Sequence, residues 1–191
     1  MIKSLLLTVS PTEALNVLNG KQTALLRKRV PKGYVGWCYG VVRKGKPYLY
    51  EIFDIHNRVF IVDGQDKGSW GDVINGKIPF RFWYEEVDTY KGFNPHDQVD
   101  YIISKEHLQA LNTSLVDIWN YASNGGFKDL YAISITKLEV FDKPMELGEF
   151  YKYFEWKSPH DINDDWFGID WNYCDKLTKS PSTYQYVWVK E

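Results

Sequence analysis

The chain contains 191 residues, of which 44% are hydrophobic and 25% are charged, and its formal net charge is −2. A chain of this length buries a core without disulfides or metals, so we expect one domain over residues 1–191. It has no run of about 18 apolar residues, which excludes an ordinary transmembrane helix, and its first residues lack the pattern of a signal peptide. We therefore expect a cytoplasmic protein with no membrane partner.

Charge is distributed unevenly along the sequence. Residues 1–60 contain 10 Lys and Arg but only 3 Asp and Glu. Residues 61–191 contain 13 Lys and Arg and 22 Asp and Glu. A protein with one basic face attracts anions locally even when its net charge is close to zero. The alternative is that the fold intermingles the two halves.

The first part of the chain predicts a strand, a helix and a second strand. Lys3–Val9 is strand-like, and Ser10 with the following proline is typical of a helix N-terminus. Asn19 and Gly20 end that helix. Thr23–Val30 then alternates as a strand.

The middle of the chain predicts strands separated by turns and loops. The predicted strands are Tyr34–Val42, Tyr48–Phe53, Val59–Val62 and Ile78–Val87. The predicted turn is Arg43–Pro47, and the predicted loops are Asp63–Gly76 and Thr89–Gln98.

The last third mixes short helices with strands. The predicted helices are Ser104–Leu111, Ser114–Tyr121 and Met145–Tyr151, and the predicted strands are Leu130–Val140 and Thr183–Val189. Many strands with a few short helices favour an α+β barrel over a doubly wound parallel sheet. Lys152–Lys176 is acidic, contains three tryptophans and is expected to be an insertion.

Common catalytic and cofactor patterns are missing from the sequence. It contains no glycine-rich phosphate loop, no dinucleotide-binding fingerprint and no nucleophile elbow. Its four histidines are scattered, and Cys38 and Cys174 form no metal-binding pair, so we expect buried free thiols, no metal and no cofactor.

Several stretches, taken in order, are similar to the ASCH branch of the PUA-like superfamily, and most to ASCH-like proteins common in phages and mobile elements of Gram-positive bacteria. They are LLLTVSP at 5–11, NGKQTALLRKRVP at 19–31, KPYLY at 46–50, NGKI at 75–78, AISITKLEVFDKP at 132–144 with EL at 146–147, and SPSTYQYV at 180–187. The resemblance implies a PUA-like mixed β-barrel with a few short helices.

The resemblance also implies a cleft between the first helix and the following basic strand that accepts RNA or a nucleotide-like small molecule. It assigns to this cleft Lys21, Thr23, Arg27, Lys28 and Arg29. Guanidinium groups bind phosphate in a bidentate manner, which suits this assignment. A solvated basic edge strand that discourages aggregation is the alternative.

Some ASCH relatives hydrolyse an acetylated cytidine, and at two of their catalytic positions this sequence has a different residue. Gln22 occupies the position of a lysine and Leu25 that of a threonine. Glutamine does not act as a proton-transfer base and leucine is no nucleophile, so we transfer the fold and the cleft but not the catalysis.

Aromatic residues are candidates for stacking on a nucleic-acid base. Trp37 and Tyr39 lie on the strand after the basic one, and Tyr184 lies on the last strand. The same rings are also suited to filling the interior of a barrel.

Three functions remain open from the sequence. The first is a non-catalytic module that binds RNA or a nucleotide. The second is a hydrolase for a modified nucleoside or RNA, with Glu85 or Glu86 as the acid-base group. The third is a phage-encoded protein that blocks a host defence factor through a partner surface containing Trp156, Trp166 and Trp171.

Overall fold

The computed structural model describes residues 1–44, 51–54, 56, 58–61, 72–85, 87–90, 103–124, 129–153 and 175–190. Most of the predicted insertion, with its three tryptophans, lies outside these ranges, as does Glu86. No helix in the described ranges is both long enough and apolar enough to cross a membrane.

Three α-helices and twelve strands are formed in the described ranges. The helices are α1 (Pro11–Leu18), α2 (Lys105–Leu111) and α3 (Leu115–Ser123). The strands are β1 (Ile2–Val9), β2 (Ala24–Arg27), β3 (Gly36–Val42), β4 (Glu51–Phe53), β5 (Val59–Ile61), β6 (Asp72–Val73), β7 (Ile78–Tyr84), β8 (Val87–Tyr90), β9 (Leu130–Ser134), β10 (Thr136–Met145), β11 (Phe150–Lys152) and β12 (Tyr184–Val189).

The main sheet has six strands in the order β10-β7-β3-β1-β12-β11. Only β1 and β3 are parallel neighbours, and the other pairs are antiparallel. The central strand β1 is buried from Ser4 to Val9, because both faces of the sheet are covered. Its Leu5 and Leu7 contact the core cluster under α1, while Leu6 contacts a cluster on the other face.

A second, three-stranded sheet has the order β2-β9-β8 and is covered by α2 and α3. Ala24 and Ala132 are small residues of this sheet, and they let Ile118 and Ala122 of α3 pack closely. These two of the three sheets therefore carry different helices: α1 packs on the main sheet, and α2 and α3 pack on the β2-β9-β8 sheet.

Two strands predicted as continuous are each divided between the two sheets. Ile78–Val87 breaks after Tyr84, where the chain leaves the main sheet and continues as β8 in the smaller one. Leu130–Val140 breaks at Ile135, where the chain passes from β9 back to β10. The alternation of apolar residues changes phase at both breaks, from Tyr84 to Val87 and from Ile135 to Leu138, so this phase shift was the available sign of a change of sheet.

The predicted helix at Met145–Tyr151 is wrong. Met145 still pairs with Ile78 as the end of β10, and only Leu147–Glu149 forms a single 3-10 turn before β11 begins. Thr23–Val30 is also shorter than predicted, since its paired part is β2 alone. The predicted loop at Asp63–Gly76 contains β6, which pairs with β5.

The α+β class is confirmed, with mixed sheets and short helices. Closure of a barrel is only loosely supported, because in the described ranges the six-stranded sheet has two edges, β10 and β11. These edge strands are consecutive in the chain and are separated only by residues 146–149, so the sheet curls enough to bring the end of β10 near the start of β11.

Candidate functional site

A cleft opens between the two helical layers, and we call it the α1–β2 cleft. Its volume is about 490 Å³. Its walls are Thr8, Ser10, Thr12, Glu13, Asn16, Gln22, Leu26, Arg27, Arg43, Leu111, Asn112, Thr113, Asp117, Ile118, Tyr121, Ser182 and Thr183. A cavity of this size suits a small organic ligand.

The α1 wall is fixed by a complete capping box. The Ser10 hydroxyl accepts a hydrogen bond from the Glu13 amide at 3.1 Å, and the Glu13 carboxylate accepts one from the Ser10 amide at 2.8 Å. This arrangement satisfies two amide groups at the helix N-terminus. It also holds the Glu13 side chain in the wall of the cleft, where its carboxylate meets Arg27.

Arg27 forms the floor of the cleft and is only 7% exposed. Its guanidinium donates to the Glu13 carboxylate at 2.6 Å and to the carbonyl oxygen of Thr8 at 2.9 Å. It also donates to the carbonyl oxygen of the preceding residue, Leu26. Arg27 thus joins β2, α1 and β1, and most of its hydrogen-bonding capacity is used within the protein.

Gln22 is placed in the cleft by the turn that ends α1. Gly20 has a φ of +69°, and the amides of Lys21 and Gln22 then both donate to the carbonyl oxygen of Asn16, at 2.8 and 3.0 Å. A positive φ is accessible to glycine without the steric cost of a Cβ. The Gln22 side chain is buried, and its Nε2 donates a hydrogen bond to the carbonyl oxygen of Ala24 at 2.8 Å.

The opposite wall comes from α2 and α3. The backbone amide of Thr23 donates to the carbonyl oxygen of Ala110 at 2.8 Å, which ties β2 to the end of α2. Tyr121 is 39% exposed in this wall, and Lys28 lies over its ring with Nζ 4.9 Å from the centroid. Burial raises the pKa of the Tyr121 hydroxyl above its ordinary value, which already lies well above neutral pH, and the protonated hydroxyl is a hydrogen-bond donor.

The charged groups of the cleft balance. Arg27 and Arg43 are opposed by Glu13 and Asp117. Asp117 accepts a hydrogen bond from the Ser114 hydroxyl at 2.6 Å, as part of the α3 cap. The cleft therefore offers polar groups for recognition, and its charges do not by themselves concentrate phosphate.

The structure brings together only part of the site predicted from the sequence. Arg27 lines the cleft, and Lys28 contacts its Tyr121 wall. Lys21, Thr23 and Arg29 are exposed side chains that do not line the cleft. Thr23 takes part through its backbone, which also accepts a hydrogen bond from Ile135 at 2.8 Å.

The predicted stacking residues lie elsewhere. Tyr39 is 3% exposed and packs in the cluster on the far face of the main sheet. Trp37 lies on the same face, edge-on to Trp83 at 5.4 Å and with the Arg81 guanidinium 4.1 Å from its ring. Tyr184 packs against the main core and follows a cleft residue, but it does not line the cleft itself.

The two positions that differ from the acetylcytidine hydrolases have different environments. Gln22 faces the cleft, whereas Leu25 is fully buried in the core under α1. Glu85, a carboxylate of the hydrolase hypothesis, follows β7 and does not line the cleft. No group of three or more potential metal ligands occurs in the ranges that the structure describes.

The sequence did not reveal the part of the site contributed by α3. The helix itself was predicted, but Tyr121 is nearly one hundred residues from Arg27, and no local pattern shows which sheet a helix covers. The available signal was the presence of two large aromatic residues, Trp119 and Tyr121, on one short predicted helix, and the structure shows that both rings are exposed, as rings at binding surfaces often are.

Comparison with known proteins supports the fold. No family model and no curated protein matches the sequence. The chain is similar to the crystal structure of a serine-to-alanine variant of an ASCH protein from Zymomonas mobilis, with a TM-score of 0.51, 10% identity, and coverage of 98% of this chain and 89% of that one. A tyrosine-to-phenylalanine variant of the Zymomonas mobilis protein matches with a TM-score of 0.48, 10% identity, and coverage of 100% and 92%. The first of these matches confirms the fold resemblance seen in the sequence: the chain has an ASCH-like fold.

Proposed function

We propose that this protein is a non-catalytic binding module that accepts a nucleotide or single-stranded RNA in the α1–β2 cleft. The observation that carries the proposal is a cleft of about 490 Å³ lined by polar side chains and one exposed aromatic ring. Ligand sites of this kind combine a concave shape with a few polar groups that fix the ligand's orientation.

Hydrogen-bonding groups in the cleft suit the edge of a nucleobase or a ribose. Asn16 and Asn112 each present an amide, and Thr12 and Thr113 each present a hydroxyl. Amides and hydroxyls both donate and accept, as the base edges and the ribose 2′-hydroxyl do. These groups stand on α1 and at the α2–α3 junction, so a ligand between them is contacted from both sides.

Tyr121 supplies the ring on which a base would stack. Stacking tolerates any base because every base has a π face. The cation of Lys28 over the Tyr121 ring holds that ring in place. Its donor hydroxyl adds a polar contact at the edge of the stack.

The proposal includes no chemical step. Gln22 carries an amide that does not titrate, and Leu25 lies in the core rather than in the cleft. The Glu13 carboxylate, which lines the cleft, already accepts hydrogen bonds from Arg27 and from the Ser10 amide. These residues suit recognition better than acid-base catalysis.

The proposal is tested by titrating nucleotides and fluorescent single-stranded RNA oligomers at about 50 mM salt, where phosphate binding is strong. Tyr121→Ala is expected to weaken binding by about 5- to 150-fold, which corresponds to the loss of one stacked base. Trp119→Ala is the matched control, because Trp119 is 40% exposed on the same helix but does not line the cleft. Absence of binding by the wild type, or equal losses in the two variants, would contradict the proposal.

A further inference from the structure

A second cavity of about 480 Å³ adjoins the α1–β2 cleft, and we call it the Arg43 pocket. The two cavities share Thr8, Arg43 and Ser182 in their walls. Arg43 therefore stands at the boundary, and a ligand longer than one nucleoside would extend from one cavity into the other.

The Arg43 pocket differs from the cleft in its charge. Arg43, Lys44 and Lys179 line it, and no carboxylate does so among the described residues. Within the same ranges, none of these three cations has an acidic partner within 4.0 Å. Three like charges beside one cavity repel one another, and an anion between them relieves that repulsion.

The backbone holds these cations around the cavity. The Arg43 amide donates to the Val9 carbonyl oxygen at 2.9 Å, which continues the pairing of β3 with β1 past the end of β3. Lys44 lies against Gly76, where a Cβ atom would be only 2.6 Å from the Lys44 Cε. Gly76 thus leaves the space that the Lys44 side chain occupies.

The other wall is the segment before β12. Thr8 holds it with two hydrogen bonds: its hydroxyl donates to the Pro181 carbonyl oxygen at 2.6 Å, and its amide donates to the Thr183 carbonyl oxygen at 2.9 Å. Lys179 and Ser180 of this segment line the pocket. Hydroxyl groups and cations together are the usual partners of phosphate oxygens.

We infer that the Arg43 pocket binds a phosphate group of the ligand whose base lies in the α1–β2 cleft. The identity of that ligand rests on the proposed function, whereas the anion site rests on the pocket itself. The division follows from the charges: apart from the shared Arg43, the described walls of the cleft have one cation and two carboxylates, whereas those of the pocket have two further cations and no carboxylate, so the cleft suits a neutral base and the pocket suits its phosphate. Arginine contributes bidentate hydrogen bonds and lysine contributes point charges.

The test compares two triple variants that remove the same charge. The pocket variant is Arg43→Ala, Lys44→Ala and Lys179→Ala. The control variant is Lys21→Ala, Arg29→Ala and Lys32→Ala, all exposed residues that line neither cavity. With single-stranded RNA, log affinity decreases as log salt increases. This negative slope should become shallower by about 0.7 for each phosphate contact that the pocket variant loses, and it should remain near the wild-type value in the control variant. A larger fall in the control variant, or equal slopes in all three proteins, would overturn the inference.

A second arm uses inorganic tripolyphosphate, which has no base. It is expected to raise the melting temperature of the wild type and of the control variant, but not that of the pocket variant, because a ligand stabilises only the state that binds it. If tripolyphosphate passes this test and no nucleotide or RNA binds, the proposed function fails and the anion site stands. If RNA binds through Tyr121 but tripolyphosphate stabilises all three proteins equally, the anion site fails and the proposed function stands. A free nucleotide and an RNA chain are distinguished by titrating each against the same proteins.

Discussion

The α1–β2 cleft and the Arg43 pocket are neighbours of similar volume that use their cations in opposite ways. In the cleft, Arg27 is buried and paired with Glu13, so its charge joins three elements of the fold. In the pocket, Arg43, Lys44 and Lys179 have no such acidic partner in the described ranges. A basic residue near a cavity is therefore a candidate ligand contact only after its partners within the protein have been identified.

The largest expected effect concerns the cleft pair. Glu13→Ala should lower the free energy of unfolding by about 3 kcal/mol, because it leaves the Arg27 charge without its partner in a poorly hydrated site. Chemical denaturation measures this change. The double variant Glu13→Ala with Arg27→Met should be more stable than Glu13→Ala alone, since no unpaired charge remains. A loss below about 1 kcal/mol for Glu13→Ala would mean that the pair contributes little and that Arg27 is available to a ligand.

A smaller effect is expected where Lys44 meets Gly76. Gly76→Ala should cost about 1 to 2 kcal/mol of stability, because Gly76 has a φ of +81° and a Cβ disfavours this region. It should also displace Lys44 and weaken tripolyphosphate binding in calorimetric titration. The matched control is Gly33→Ala, which has a φ of +66° but no atom within 4 Å of its added Cβ. Equal losses of tripolyphosphate affinity in the two variants would show that Lys44 is not positioned by this contact.

Removing the N-cap of α1 should lower the stability somewhat less than Gly76→Ala does. Ser10→Ala removes one half of the capping box and is expected to cost about 1 kcal/mol of stability, measured by thermal or chemical unfolding. Ser10→Thr should recover most of that loss, because threonine is also an N-cap residue. Failure of threonine to restore stability would indicate that the loss does not come from the N-cap hydrogen bond.

The smallest expected effect concerns the pocket cations. Lys179→Ala should change the free energy of unfolding by no more than about 0.5 kcal/mol, since it is exposed and has no ion pair in the described part of the chain. The same variant should still weaken tripolyphosphate binding. A stability loss as large as that of Glu13→Ala would remove the contrast between the two cavities.

The elements of the first helix and strand were predictable from the sequence because their signals are local. Ser10, Pro11 and Gly20 mark the ends of α1, and the structure contains this helix with both ends as predicted. The apolar runs of β1 and β3 are buried on both sides and were recognised as strands from composition alone.

The site was less predictable because it depends on which surfaces meet. Alternation along β3 places Trp37 and Tyr39 on the face of the sheet opposite α1, and sequence proximity to the basic strand does not convey this. Arg27 lines the cleft, yet its pairing with Glu13 is a tertiary contact that the sequence does not show. Lys179 is more than 130 residues from Arg43, so no motif joined them.

Chemical-shift mapping with a nucleoside and its 5′-monophosphate tests most directly the claim that base and phosphate occupy the two cavities separately. Uridine should shift the amide signals of Asn16 and Tyr121, and uridine 5′-monophosphate should shift these and the signals of Lys44 and Lys179 as well. Shifts confined to the Trp37 and Trp83 face, or the absence of any shift with either compound, would contradict the account.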